Sequence, residues 1–193
     1  MASTEDVKKL RDMTGVSIMQ CKSALEEAGD DFDKALLILK KKGSSITAKK
    51  ADRELSAGVV AAYVHSNKEV GALVTLMSET DFVAKNEEFS KLAYDIAMHV
   101  AAAGPEYKTR EEIPAEKLEE MKGLFVKDVE GKPENLREQI LNGKMDAYLK
   151  GLVLLEQPFI KDQDQTIQGL IDTATQKFGE RIEVASFTRL GTR

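Results

Sequence analysis

The chain has 193 residues, 42% apolar and 32% charged, the balance of an ordinary globular protein, and no apolar run approaches the roughly 20 residues a membrane-spanning helix requires. The formal net charge is −5 without a long basic block, which argues against bulk nucleic-acid affinity, since that depends on Lys and Arg displacing counterions from phosphates. A single cysteine, Cys21, excludes an internal disulfide framework and supplies neither a CxxC pair nor a zinc site. The polar, acidic start MASTEDVKKL lacks the apolar stretch of a signal peptide and the Arg-rich character of a transit peptide, so a cytoplasmic protein is expected.

Residues 1–43 read as three short helices. Val7, Leu10 and Met13 form a stripe that Thr14-Gly15 ends. Ile18, Cys21, Leu25 and Ala28 form a second, followed by Gly29. Asp31 can cap a third helix carrying Phe32, Ala35, Leu36 and Leu39, closed by the basic residues 40–42 and Gly43. So few large side chains make a miniature domain. Residues 44–56 are polar, with little apolar periodicity, and are expected to be a partly helical linker. Lys40, Lys41, Lys42, Lys49, Lys50 and Arg53 read more readily as solvated charge there than as a phosphate-binding patch.

The texture then changes. Two β-prone runs, 59–64 and 70–77, flank a polar turn and predict a hairpin. Next comes a helix capped by Asn86, with Glu87 and Glu88 in its first turn and a stripe of Phe89, Leu92, Ala93, Ile96, Ala97 and Val100 up to Gly104-Pro105. Residues 114–150 predict two amphipathic helices separated at Gly131-Lys132-Pro133, marked by Leu118, Met121 and Phe125, then by Leu136, Ile140 and Tyr148. The short apolar run 152–155 fits a strand or a helix end. Ile167, Leu170, Ile171, Ala174 and Phe178 define a last helix, ended by Gly179, and residues 181–190 a closing strand. Strands at both ends with helices grouped between them predict an α+β fold, with residues 57–193 as one core unit and no second copy of the hairpin-plus-helix pattern.

Signatures of catalysis are missing from the chain. There is no GxxxxGK[ST] or GxGxxG, and His65 and His99 belong to no HExxH pattern. Cys21 lies on the apolar stripe of its helix and reads as a buried thiol. No carboxylate pair stands out for acid–base work. What does stand out is Thr80-Asp81-Phe82-Val83, a large aromatic between a strand end and a helix start in an otherwise polar segment. Phe82 either folds back as cover or projects as an anchor for a partner, in which case Asp81 beside it fixes orientation.

At these residues the chain resembles the elongation factor Ts family. Thr14-Gly15 followed by Met19-x-Cys21-Lys22-x-Ala24-Leu25 matches the family's N-terminal signature, and Glu79-Thr80-Asp81-Phe82-Val83-Ala84-Lys85-Asn86 its core signature. Residues 96–102 and 156–162 are further matches. The resemblance implies a ubiquitin-associated-like three-helix domain over residues 1–43, and an antiparallel sheet packed with helices over 57–193. It implies a guanine nucleotide exchange factor rather than an enzyme, needing neither cofactor nor metal, with elongation factor Tu as partner. Phe82 would enter the partner's GTPase domain near its magnesium and phosphate site, with Thr80, Asp81 and Val83 around it. Arg11, Ile18, Met19 and Lys22 match N-terminal contact positions, Ile18 also lying on the core stripe and Met19 off it. Val70, Gly71 and His99 match further contact positions, His99 also fitting a packed, hydrogen-bonded role. Longer family members carry two copies of the core unit; a chain with one resembles members that pair, which implies a homodimer. Two other classes remain open on the residues alone: an adaptor acting through residues 1–43, and an RNA-binding protein using residues 40–53.

Overall fold

A computed structural model describes residues 3–129, 131 and 133–192 of the chain. Three helices come first: α1 (Thr4–Thr14), α2 (Ile18–Glu27) and α3 (Phe32–Lys49). Each starts at a side-chain cap. Ser3 Oγ accepts the Asp6 N–H at 3.0 Å, Ser17 Oγ that of Gln20 at 3.4 Å, and Asp31 Oδ1 that of Lys34 at 3.0 Å. Gly15 ends α1 in the left-handed conformation, φ 67°, which lets its N–H reach back to the Arg11 carbonyl at 2.7 Å. Val7, Leu10, Val16, Cys21, Ala24, Leu25, Ala35 and Leu39 close into one small core. The Cys21 thiol lies in it, bonded to the Val16 carbonyl at 3.6 Å, and burial raises its pKa.

The third helix does not stop at Gly43. It runs on to Lys49 because residues beyond the small core find a second support, α8 (Ile167–Phe178). Gly43 makes this approach possible: a Cβ there would lie 3.2 Å from the Asp172 carbonyl oxygen. One residue on, Ser44 Oγ donates to the buried Asp172 carboxylate at 2.6 Å.

The second and larger core lies under an antiparallel sheet ordered β1 (Ala57–Val64), β2 (Val70–Ser78), β5 (Ile182–Gly191). The β1–β2 hairpin pairs Ala57 with Ser78 through Val64 with Gly71, and β2–β5 shifts register between Thr75 and Leu76. One face of the sheet is filled by Ala72, Val74, Leu76 and Val184 against the apolar stripe of α5 (Glu87–Ala103) and Ile167, Ile171 and Ala174 of α8. The stripe read from the sequence is the packed one: Phe89, Ala93, Ile96, Ala97 and Val100 are buried and Leu92 is partly so. Asn86 Oδ1 caps α5 at the Glu88 N–H, 2.8 Å away. On the opposite face nothing among the described residues covers Val60, Ala62 and Val64 of β1, Leu73 of β2 or Leu190 of β5.

Between these elements stands the short helix α4 (Asp81–Ala84), described below. Further along the chain come α6 (Ala115–Val129) and α7 (Glu134–Leu152), two helices packed on each other with a small cluster of their own, Ile113, Met121, Leu149 and Val153. The Phe125 and Tyr148 rings meet edge-on at 5.6 Å. Lys132, in the break expected between these helices, lies outside the described residues. The apolar run at 152–155 is the end of α7 followed by a 3-10 turn at Leu154–Glu156. A two-stranded ribbon not anticipated from the sequence follows, β3 (Pro158–Phe159) and β4 (Asp162–Thr166). No helix among the described residues is long and apolar enough to cross a membrane.

Candidate partner-binding site

Strand β2 ends at Ser78, and the chain turns directly into α4, a single helical turn that holds the motif. Val83 and Ala84 point into the large core. Phe82, one residue earlier on the same turn, points the other way and is 82% exposed. Two buried neighbours thus seat an aromatic ring in water, where folding of this chain alone gains nothing from it. Leaving a Phe side chain exposed forgoes on the order of 1.5–3 kcal/mol of burial. The expectation that the ring either covers the core or projects from it resolves to projection.

Asp81 pairs with Lys85 one turn on, at 2.6 Å, and the lysine hydrogen bond holds its carboxyl below the usual range. Both groups are largely exposed, so the pair adds little stability and remains available to a partner. Thr80 precedes the helix at the cap position, but its hydroxyl donates to Glu180 Oε1 at 2.6 Å rather than capping the turn.

The N-terminal candidates occupy the α1–α2 corner. Met19 is 76% exposed and Ile18 55%. Ile18 therefore departs from the core stripe on which periodicity placed it: it follows the Ser17 cap as the first helical residue, and the small core closes over Val16, Cys21, Ala24 and Leu25 without it. Arg11 pairs with Asp12 at 2.7 Å and Lys22 stands 3.8 Å from Glu26, both pairs exposed. Met13 is exposed too, so it also leaves the stripe of Val7 and Leu10 on which periodicity placed it. Next to Gly15 lies the Lys177 side chain, which pairs with Glu88 in the first turn of α5, so this corner and the Phe82 turn border the same helix end.

Val70 and Gly71 begin β2 and line a shallow, largely apolar hollow of about 330 Å³ with Val64, Leu73 and Leu190 on the uncovered sheet face. His99 is elsewhere. It is fully buried on α5, where Nδ1 accepts the Ile160 N–H at 3.3 Å and Nε2 meets Gln157 Oε1 at 2.9 Å. Burial lowers its pKa, favouring the neutral ring. His99 thus shapes the Gln157–Ile160 corner from inside. The candidates form three groups, at α4, at the α1–α2 corner and at the hairpin end of the sheet, with His99 in the core between elements. Glu180, which anchors Thr80, carried no signal in the sequence beyond following the helix-ending Gly179.

Among the described residues no group of His, Cys, Asp or Glu is arranged to hold a metal ion. Of the candidate residues, Phe82, Met19 and Ile18 project from short, well-seated elements, whereas Val83 and His99 are buried beneath them. The model of the family described as elongation factor TS matches residues 22–192. The elongation factor Ts of Acetivibrio thermocellus is 46% identical over 191 residues, covering 98% of this chain and 89% of that protein. Those of Thermotoga petrophila and Thermosipho melanesiensis are 46% and 44% identical, covering 97% and 98% of this chain and 94% and 97% of their own length. This chain belongs to the elongation factor Ts family.

Proposed function

We propose that the chain is a guanine nucleotide exchange factor for elongation factor Tu, working in the cytoplasm during translation elongation. The carrying observation is Phe82, held out in water by the buried Val83 and Ala84. In this reading the ring enters the partner's GTPase domain near its magnesium and phosphate site, and burial there stabilises the complex by ~2 kcal/mol or more. Asp81 and Thr80 orient the insertion, and Arg11, Ile18, Met19 and Lys22 dock a second patch. Residues 1–43 serve as the docking unit and 57–193 as the working core, joined through 44–56. Binding of the factor and of GDP weaken each other, and linkage makes that antagonism reciprocal. The factor lowers the barrier to GDP release by its affinity for the nucleotide-free partner, with no bond-making step and no cofactor of its own.

The direct test is stopped-flow release of fluorescent GDP from elongation factor Tu in excess unlabelled nucleotide. Acceleration rising with factor concentration is expected, and Phe82→Ala should slow release at saturation about 10- to 30-fold, the rate equivalent of ~1.4–2 kcal/mol. Wild-type release by Phe82→Ala would eliminate the insertion. Activity retained by residues 1–43 alone would favour the adaptor reading instead.

The same proposal includes a second copy of this chain as partner. The uncovered sheet face carries Val60, Ala62, Val64, Leu73 and Leu190, an apolar surface of the kind that marks an interface. A homodimer covering it would form a two-to-two complex with elongation factor Tu.

A further inference from the structure

Two carboxylates grip the base of the Phe82 turn from opposite directions. Glu79 reaches across to the corner between α8 and β5, where Oε1 accepts the backbone N–H of Arg181 at 2.6 Å. Glu180 reaches back, Oε2 accepting the Thr80 N–H at 3.0 Å and Oε1 the Thr80 hydroxyl at 2.6 Å. The bonds are reciprocal: the side chain of residue 79 binds the backbone of 181, and the side chain of 180 binds the backbone of 80. The β2–β5 ladder ends at Ser78 and Ile182, so these N–H groups lie just past the last paired residues. The clasp supplies acceptors where the ladder no longer does.

Sheet termination alone does not account for the Thr80 hydroxyl. Thr80 holds the cap position of α4 yet makes no capping bond. Its hydroxyl is diverted to Glu180, so the direction of α4 is set by the α8–β5 corner rather than by the turn's own cap. Further ties converge on the same point. Lys50, which follows α3, pairs with Glu79 at 3.2 Å, the Arg181 guanidinium donates to the Arg53 carbonyl at 2.6 Å, and Ser56 Oγ donates to the Glu79 carbonyl at 2.6 Å. Phe82 stands two residues beyond Thr80, so any rotation of this base swings the ring.

We propose that Glu79 and Glu180 are positioning residues for nucleotide exchange, holding α4 so that Phe82 projects in the direction insertion requires. This rests on the exchange reading above. The effect belongs chiefly in the rate at saturation, because the α1–α2 patch still docks the factor on the GDP-bound partner and the ring's burial is gained as GDP leaves.

The test is stopped-flow GDP release with the full chain, separating the maximal rate from the half-saturating concentration. Glu79→Ala/Glu180→Ala should lower the maximal rate about tenfold, as expected for loss of charge-assisted hydrogen bonds, with the half-saturating concentration moving less than about threefold. Glu79→Gln and Glu180→Gln keep an acceptor for each backbone N–H and should restore most of the rate. In a Phe82→Ala background the clasp substitutions should slow release no further, because the clasp acts through the ring. A folded double-alanine variant with the wild-type maximal rate would overturn the proposal, as would a further loss in the Phe82→Ala background. Should the double variant not fold, Thr80→Val, which removes only the hydroxyl bond, carries the test: a loss of about threefold supports the clasp and an unchanged rate overturns it. Slow release by Phe82→Ala beside normal clasp variants removes only the clasp, whereas normal release by Phe82→Ala removes insertion and clasp together.

Discussion

At the scale of single residues, His99 has its protonation state written into its neighbours. The Ile160 N–H donates to Nδ1, so the ring proton sits on Nε2 and is donated to Gln157 Oε1. A second ring proton would face the Ile160 donor in a buried site, and burial depresses the pKa below its ordinary value of 6.5. The unfolded chain therefore binds the proton more readily than the folded one. The contribution to stability is fully present above about pH 6.5 and is lost as pH falls through the folded-state pKa. Urea midpoints measured from pH 7.5 to 5 should fall more steeply for the wild type than for His99→Gln; parallel slopes would refute this assignment. The same ring shows where sequence reading stops, since His99 fits either the margin of the α5 stripe or a contact surface, and only the distant Gln157 and Ile160 decide. Ile18 was misplaced for a related reason. Helical period assigns a face, but not whether the neighbouring helix reaches as far as the first turn. Phe82 stood out because it lies between a strand end and the Asn86 cap of α5, but the residues alone left open whether it covered the core or projected.

At the scale of elements, α3 is the instructive case. A run of lysines followed by glycine is a reasonable C-terminal signal, yet Gly43 lies in mid-helix because its missing side chain lets α8 approach. The signal is ambiguous in one sequence, since a glycine that ends a helix and one that admits a neighbour look the same. The two roles are separable by experiment. A side chain at position 43 meets the Asp172 backbone at 3.2 Å, so Gly43→Val should destabilise the protein by about 1–3 kcal/mol despite a better helix propensity. Urea unfolding followed by circular dichroism reads this directly; an unchanged or higher midpoint would mean that the approach of α8 has room to spare. The hairpin, α5, α8 and β5 were legible because each carries a full apolar stripe or an unambiguous breaker. The β3–β4 ribbon was not, because its strands read Pro-Phe and Asp-Gln-Asp-Gln-Thr, with no alternation to betray them.

At the scale of the whole molecule, β1 poses the remaining question. It reads AGVVAAYV, apolar at nearly every position, which is how a strand buried on both faces is written. Among the described residues only one face is covered, and the α+β plan read from the sequence could not say that the other would be bare, because both faces of β1 look alike. The register places Ala62 opposite Leu73 and Leu73 opposite Thr188, so Leu73 stands on the central strand of the bare face. A charge there should be tolerated by the isolated chain, whose Leu73 already meets water, and should oppose a second copy laid on the same surface. Light scattering is expected to give a dimer mass for the wild type and a monomer mass for Leu73→Glu, with unchanged circular dichroism. A wild-type monomer at working concentration would leave the bare sheet to elongation factor Tu, and Leu73→Glu should then weaken that complex instead. Because Phe82 stands on α4, just past the end of β2, the strand that carries Leu73, stoichiometry and exchange rate measured on the same variant show whether pairing and insertion depend on each other.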